Sequence, residues 1–124
     1  MRISWSLFLG FAALLHVGCN ASAKQAANAM TNGNADRGAS AIAYYGCGAC
    51  HTIRGISGAN ALVGPDLSRM GSRIYIAGSL DNQPINMIRW IQDPHAINQR
   101  TAMPTLGVNE RDARDIAAYL YSLK

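Results

Sequence analysis

One pentapeptide constrains this chain more than any other feature: Cys47-Gly48-Ala49-Cys50-His51. Two cysteines three positions apart, followed at once by a histidine, are typical of a c-type haem attachment site. This spacing lets two thiols on one helical turn reach the two vinyl groups of a haem and form thioethers. His51 then points at the iron, where a neutral imidazole nitrogen can serve as an axial ligand.

Three other interpretations of the cysteines compete with haem attachment. A structural zinc site needs about four ligands, and the sequence has no second CxxC or HxxxH pair. A thioredoxin-like redox pair needs a preceding strand in a βαβ unit, whereas the flanks of this motif have helical patterns. A disulfide between Cys47 and Cys50 would leave His51 without a role. The motif therefore favours haem attachment.

The N-terminus has the pattern of an export signal. Arg2 is followed by a largely apolar run of 13 residues, Ile3 to Leu15. This run is shorter than the roughly 20 residues that a membrane-spanning helix needs. We therefore expect export to the periplasm, where bacteria attach c-type haem.

The signal has two candidate ends. Ala21-Ser22-Ala23 predicts cleavage before Lys24, with a signal over residues 1–23 and a free periplasmic protein. Alternatively, residues 15–19 resemble a bacterial lipobox, with a signal over residues 1–18 and a lipid anchor at Cys19. His16 departs from the aliphatic residue that is usual at its position in a lipobox. The sequence is compatible with either cleavage site.

Beyond the signal, the patterns predict one all-α domain. Residues 19–34 are rich in Ala and Asn without periodicity, which indicates a flexible tether. Helical patterns follow at about residues 35–45, 83–92 and 109–123, the first with Asn34 or Asp36 as its cap. No stretch has the two-residue period of a strand, so the domain over residues 35–124 is expected to be helical.

The charge pattern excludes a nucleic-acid-binding surface. The net charge is +4, but Lys and Arg are scattered without runs. Five arginines surround the motif in the sequence, and they are either solvated or steer the protein toward an acidic docking face in a salt-sensitive manner. These are Arg54, Arg69, Arg73, Arg89 and Arg100.

Four features in this order resemble a class I cytochrome c. They are a glycine-bearing helix leading into CxxCH, the Gly64-Pro65-Asp66-Leu67 turn, the Met103-Pro104 pair, and a last helix ending in DIAAYL. The resemblance implies a small helical domain wrapped around one covalent haem, with the first and last helices crossing at Gly38 and Tyr119. More narrowly, the chain is similar to small bacterial monohaem cytochromes that accompany, or are fused to, haem–copper oxidases and periplasmic dehydrogenases.

The resemblance also implies roles for site residues. Cys47 and Cys50 would carry the thioethers of one haem c, and His51 would be the proximal iron ligand. The carbonyl of Pro65 would accept the other ring N–H of His51. Met103 would be the distal ligand, whose thioether raises the reduction potential relative to a second histidine.

Other residues near the site have less specific roles. Tyr75, Trp90 and Arg73 resemble the groups that hydrogen-bond a haem propionate. Met70 and His95 are rival distal ligands, because thioethers and imidazoles both bind haem iron.

With both axial positions of the iron filled, we expect a one-electron carrier and not an enzyme. Its expected partners are a quinol-oxidising complex or dehydrogenase as donor and a terminal oxidase as acceptor. One alternative is a fixed electron-relay subunit of a membrane oxidase or dehydrogenase. A second is a ligand sensor or peroxidase in which the bond to Met103 is labile.

Overall fold

The fold is predominantly helical, as the sequence predicts. A computed structural model describes residues 8–124, with side chains described from residue 18 onward, so the start of the expected export signal lies outside the described residues. The helices are α1 (Phe8–Thr31), α2 (Ala35–Tyr44), α3 (Pro84–Gln92), α4 (Pro94–Ile97) and α5 (Glu110–Ser122).

Helix α5 forms the centre of the domain, with α1, α2 and α3 packed against it. Its apolar residues recur at helical spacing and are buried: Ala113, Ile116, Ala117 and Leu120. On α2, a Cβ atom added at Gly38 would overlap the backbone carbonyl of Asp115 and approach the Cβ of Tyr119 to 3.0 Å. The expected crossing of the two helices at Gly38 and Tyr119 is therefore confirmed.

The structure corrects the flexible tether expected over residues 19–34. Residues up to Thr31 are helical, and Ala27 and Thr31 are buried where α1 packs on α5. Alanine has the highest helix propensity of any residue, and the four-residue spacing of Ala27 and Thr31 places both on one face. This part of α1 is thus a docked helix.

A buried carboxylate of α5 holds the start of α2. Asp115 of α5 accepts the backbone N–H of Asn34 at 2.7 Å, and Arg37 donates to both of its oxygens at 2.7 and 2.8 Å. The side chain of Asn34 in turn accepts the N–H of Arg37 at 2.9 Å, which confirms Asn34 as the cap of α2. The corner between α1 and α2 is therefore fixed to the last helix.

Between the cysteine motif and α3, the chain forms a small element that the sequence did not predict. Strands β1 (Tyr75–Ile76) and β2 (Leu80–Asp81) pair antiparallel, with Tyr75 opposite Asp81. The turn between them has positive φ angles at Ala77 and Gly78. Two residues per strand are too few to produce a visible alternation in the sequence.

Helix α4 lies outside the three helices that the sequence predicts. Pro94 follows the end of α3 and takes the first position of α4, where its missing N–H costs nothing. The side chain of Asp93 caps this turn by accepting the N–H of Ala96 at 3.2 Å.

The 24-residue helix α1 is the longest in the described part of the chain. Neither it nor any other described helix combines the length and apolar character needed to cross a membrane.

Candidate haem attachment site

The cysteine motif folds as one tight turn. Gly46 has a φ angle of +71°, which favours glycine, and it leads into a 3₁₀ turn over Cys47–Ala49. The backbone N–H groups of Cys50 and His51 then both donate to the carbonyl of Cys47, at 3.2 and 3.1 Å. Both cysteines are half-buried free thiols. Their sulfur atoms thus belong to a single turn, as attachment to one planar group requires.

Gly48 brings a second loop against this turn. A Cβ atom at Gly48 would lie 2.8 Å from the Cβ of Ala59, which is buried. Any larger residue at position 48 would push the loop that carries Ala59 away from the motif.

The protonation of Cys47 bears on the alternative interpretations of the motif. Burial raises the pKa of the Cys47 thiol above its ordinary value. The reactive cysteines of disulfide oxidoreductases have the opposite property, a lowered pKa that yields the thiolate. The environment of Cys47 therefore does not favour thioredoxin-like chemistry.

The structure brings His51 and Pro65 together. The Nδ1 atom of His51 lies 2.7 Å from the backbone carbonyl oxygen of Pro65. A carbonyl oxygen only accepts, so Nδ1 carries a proton, and in the neutral ring the lone pair is then on Nε2. This tautomer leaves Nε2 as the metal-binding atom.

Gly64 holds the same ring in place, a role that the sequence analysis missed. A Cβ atom on Gly64 would lie 2.5 Å from Cε1 and 2.8 Å from Nδ1 of His51. The N–H of Gly64 also donates to the carbonyl of Cys50 at 2.7 Å, and that of Leu67 donates to Thr52 at 2.8 Å. The turn over residues 64–67 is thus fastened along the motif, with its glycine against the imidazole ring.

The three candidates for the distal iron ligand have different surroundings. Met103 is half-buried in the loop between α4 and α5, where its N–H donates to the hydroxyl of Thr101 at 3.2 Å. Met70 is buried in the hydrophobic core. His95 is exposed, with its Nδ1 atom 3.3 Å from the hydroxyl of Thr105, in the same loop as Met103.

Within the described residues, no hydrogen bond joins the three propionate candidates to one another. Arg73 is exposed, and its guanidinium donates to the backbone carbonyl of Asp66. Tyr75 is exposed on β1, and Trp90 is half-buried on α3.

One side chain that the sequence analysis overlooked holds the segment before Tyr75. Asn82 donates to the carbonyls of Met70 and Arg73, at 2.9 and 2.8 Å. Its side-chain oxygen accepts the hydroxyl of Tyr121, at 2.8 Å, from α5. No local pattern marks Asn82, because its partners lie 39 residues ahead and about ten residues behind it.

The residues present fit a covalently bound haem better than a zinc ion. Within residues 8–124, no cluster of three or more His, Cys, Asp or Glu side chains could hold a metal ion. Two thiols on one turn beside one oriented imidazole instead match a group that supplies its own four nitrogen ligands to iron. Fold and site together define a small all-α protein with a c-type haem attachment motif.

Comparison with known proteins agrees with this class. Residues 35–124 match the Cytochrome c family, and the chain belongs to that family. Membership implies a covalently bound haem c and places the protein among those that transfer electrons.

A named relative gives a narrower likeness. The chain is 34% identical over 91 residues to a protein of Alkalihalophilus pseudofirmus named cytochrome c oxidase subunit 2. The match covers 73% of this chain but only 26% of the relative, so this chain spans about a quarter of that protein. No solved structure matches the chain.

Proposed function

We propose that the protein is a one-electron carrier of a bacterial respiratory chain, with a single haem c bound through Cys47 and Cys50 and ligated by His51 and Met103. The observation that supports this most directly is the 2.7 Å contact between Nδ1 of His51 and the carbonyl of Pro65. It leaves Nε2 as the donor atom and restricts the rotation of the ring.

When bound, the haem supplies one electron at a time by alternating between ferrous and ferric iron. The protein's contribution is to keep the ligands still. Gly64 closes one side of the His51 ring, and backbone hydrogen bonds fasten its turn to Cys50 and Thr52. A ring held from two directions moves little when the iron changes between its ferrous and ferric states. Electron transfer therefore requires little rearrangement of the protein.

Met103 is the proposed distal ligand. A soft thioether ligand favours ferrous iron and raises the reduction potential relative to a histidine. The hydroxyl of Thr105 ties the loop of Met103 to Asp93, at 3.2 Å, and the N–H of Met103 donates to the hydroxyl of Thr101 within the loop. With two protein ligands, the iron would have no free position for a substrate.

The propionates of the haem are proposed to meet the segment of Arg73 and Tyr75, with Trp90 nearby. Asn82 and Tyr121 hold the backbone of this segment in place. The exposed hydroxyl of Tyr75 and the exposed guanidinium of Arg73 are both donors suited to a carboxylate.

We further propose that the protein is exported to the periplasm, with a mature end at Lys24 or at a lipidated Cys19. Helix α1 spans both positions. Cleavage at either one retains Ala27 and Thr31, the buried residues that dock the helix on α5. Membrane association is proposed only through a lipid at Cys19.

The proposed electron acceptor is a terminal oxidase, and the donor is a quinol-oxidising complex or a dehydrogenase. The likeness to a protein named cytochrome c oxidase subunit 2 supports the acceptor. The same likeness favours a second candidate function, a fixed relay subunit of an oxidase, because the relative holds the matching segment within one longer chain. Detergent extraction separates the two functions, since a relay co-purifies with the oxidase and a shuttle does not.

Replacement of one thiol tests the proposed attachment. The native protein, produced with a haem-attachment system, is expected to retain its colour after denaturation and acid–acetone extraction. Cys50→Ala is expected to lose most of its haem in the same extraction, whereas Ser57→Ala, in an exposed loop, is expected to keep it. Equal retention of haem in the Cys50→Ala protein would contradict the proposed site.

A further inference from the structure

The loop that carries Met103 has few attachments to the rest of the domain. It joins α4 to α5, and its residues 102–107 are all exposed or half-buried. Within the described part of the chain, no hydrogen bond between backbone groups involves residues 102–108. Exposed segments with so few backbone hydrogen bonds open at a small cost in free energy. Side-chain contacts must therefore hold Met103 in place.

One side-chain hydroxyl ties this loop to a neighbouring helix. Thr105, two residues after Met103, donates its hydroxyl proton to Oδ1 of Asp93 at 3.2 Å. Among the hydrogen bonds of the described side chains, those of this hydroxyl alone connect residues 102–108 to another element. The buried side chain of Val108 is a second anchor, five residues after Met103. Thr105 is thus the attachment nearest to the proposed ligand.

Asp93, the partner of Thr105, lies at a fixed corner between α3 and α4. Its N–H donates to the carbonyl of Arg89 at 3.0 Å, and its Oδ1 also accepts the N–H of Ala96 at 3.2 Å. The next residue, Pro94, is buried. Because this corner is held by both helices, a bond to Asp93 restricts the loop.

His95 binds the same hydroxyl from α4. The single proton of the Thr105 hydroxyl goes to Asp93, so its oxygen accepts from Nδ1 of His95, which lies at 3.3 Å. The imidazole of His95 therefore carries a proton on Nδ1. Three side chains form one chain of hydrogen bonds, and Thr105 is the member that belongs to the loop of Met103.

We propose that Thr105 is a positioning residue whose hydroxyl holds the loop to α4 and thereby slows the departure of Met103 from the haem iron. This role rests on the proposed function, in which Met103 is the distal ligand. Only Pro104 separates the two residues, and its ring fixes its own φ angle near about −65°. Met103 therefore cannot move far from the iron unless Thr105 moves with it and breaks its hydrogen bonds.

Cyanide binding to the ferric holoprotein tests this role. Cyanide reaches the iron only after Met103 has left, so the rate at saturating cyanide equals the rate of that departure. Thr105→Val keeps the shape of the side chain without its hydroxyl and is expected to raise the limiting rate roughly fivefold, as loss of one hydrogen bond implies. Thr105→Ser retains the hydroxyl and is expected to bind cyanide at close to the native rate.

Tyr45→Phe is the matched control. It also removes a bond between a hydroxyl and a carboxylate, the 2.9 Å bond from Tyr45 to Asp112, but this bond ties the end of α2 to α5. The control is expected to lower the denaturation midpoint about as much as Thr105→Val and to leave the limiting rate unchanged. An equal increase of the rate in both variants would mean that the rate follows general stability, and it would overturn the role of Thr105.

Two further results would also overturn this role. They are a Thr105→Val protein with the native limiting rate, and a Thr105→Ser protein as fast as Thr105→Val. Failure of the proposed function has a different signature. A Met103→Ala protein that binds cyanide no faster than the native protein would show that Met103 is not the ligand, whatever the variants of Thr105 do.

Discussion

The Nδ1 atom of His51 lies 2.7 Å from the carbonyl oxygen of Pro65, a residue 14 positions further along the chain. This contact couples the cysteine turn to the turn at residues 64–67, and Gly64 makes the coupling close enough to hold the ring on a second side. The orientation of the histidine is therefore built into the backbone of two neighbouring turns.

Gly64→Ala is expected to disturb the iron ligand directly. The new methyl group would lie 2.5 Å from Cε1 of His51, and overpacking of this kind costs about 1–3 kcal/mol of unfolding free energy. We expect a lower denaturation midpoint together with a shifted reduction potential, because the ring must move. Gly58→Ala is the control, since its Cβ meets nothing within 4 Å although its φ angle of +76° strains any side chain. It should lower stability without changing the potential, and an unchanged potential in Gly64→Ala would contradict the proposed contact.

Met103→Ala is expected to lower the reduction potential and to open one axial position of the iron. Loss of the thioether removes the ligand that favours ferrous iron, so the ferric protein should bind cyanide rapidly while its haem stays attached. The control is Met70→Leu, which changes a thioether in the hydrophobic core. It should leave both properties unchanged. If Met103→Ala keeps the native potential and spectrum, His95 becomes the ligand to test.

Ala27→Lys tests whether α1 is docked or loose. Ala27 is buried against α5, and an uncompensated buried charge or a displaced helix should lower the unfolding free energy by about 2–4 kcal/mol. Ala26→Lys places the same side chain at an exposed position of the same helix and should have little effect. Equal stabilities of the two variants, measured by denaturant unfolding, would show that α1 is not docked and would favour a flexible tether over residues 19–34.

Tyr121 makes the unfolding free energy depend on pH in the alkaline range. Burial raises the pKa of Tyr121 from 10.0 to about 12 in the folded protein. Below pH 10 the hydroxyl is protonated in both states and has no effect. Between pH 10 and about 12 only the unfolded chain releases the proton, so the unfolding free energy falls as pH rises.

Tyr121→Phe is expected to flatten this fall. It also loses the hydrogen bond to Asn82, so it should be less stable than the native protein by about 1 kcal/mol at neutral pH. Part of the alkaline slope will remain, because burial raises the pKa of Tyr119 as well. Tyr44→Phe, at an exposed position, should keep the native profile. A variant at position 121 with the native slope would show that another group is responsible.

Local signals made α2, α3 and α5 predictable. Asn34 and Asn109 each cap a helix by accepting an N–H three residues later, and both caps are visible in the sequence. The apolar stripe of α5 spans the whole helix, so its buried face could be read without knowledge of the partners. The cysteine motif is equally local, since five consecutive residues contain it.

The structural features that the sequence did not predict depend on contacts between residues far apart in the chain. From residue 18 onward, the buried side chains of α1 are the small Ala27 and Thr31. The chain just after the helix is held by a carboxylate 81 positions beyond Asn34. Asn82 gains its role from Tyr121 in the last helix. Gly64 belongs to a turn that was predicted, but its contact with the ring of His51 depends on how closely two turns approach.

Mass spectrometry of the mature protein under denaturing conditions tests the central claim most directly. We predict a mass equal to the processed chain plus one haem, with the haem retained on the peptide that contains Cys47 and Cys50. A mature chain without the added mass, with these two cysteines joined only to each other, would contradict the account.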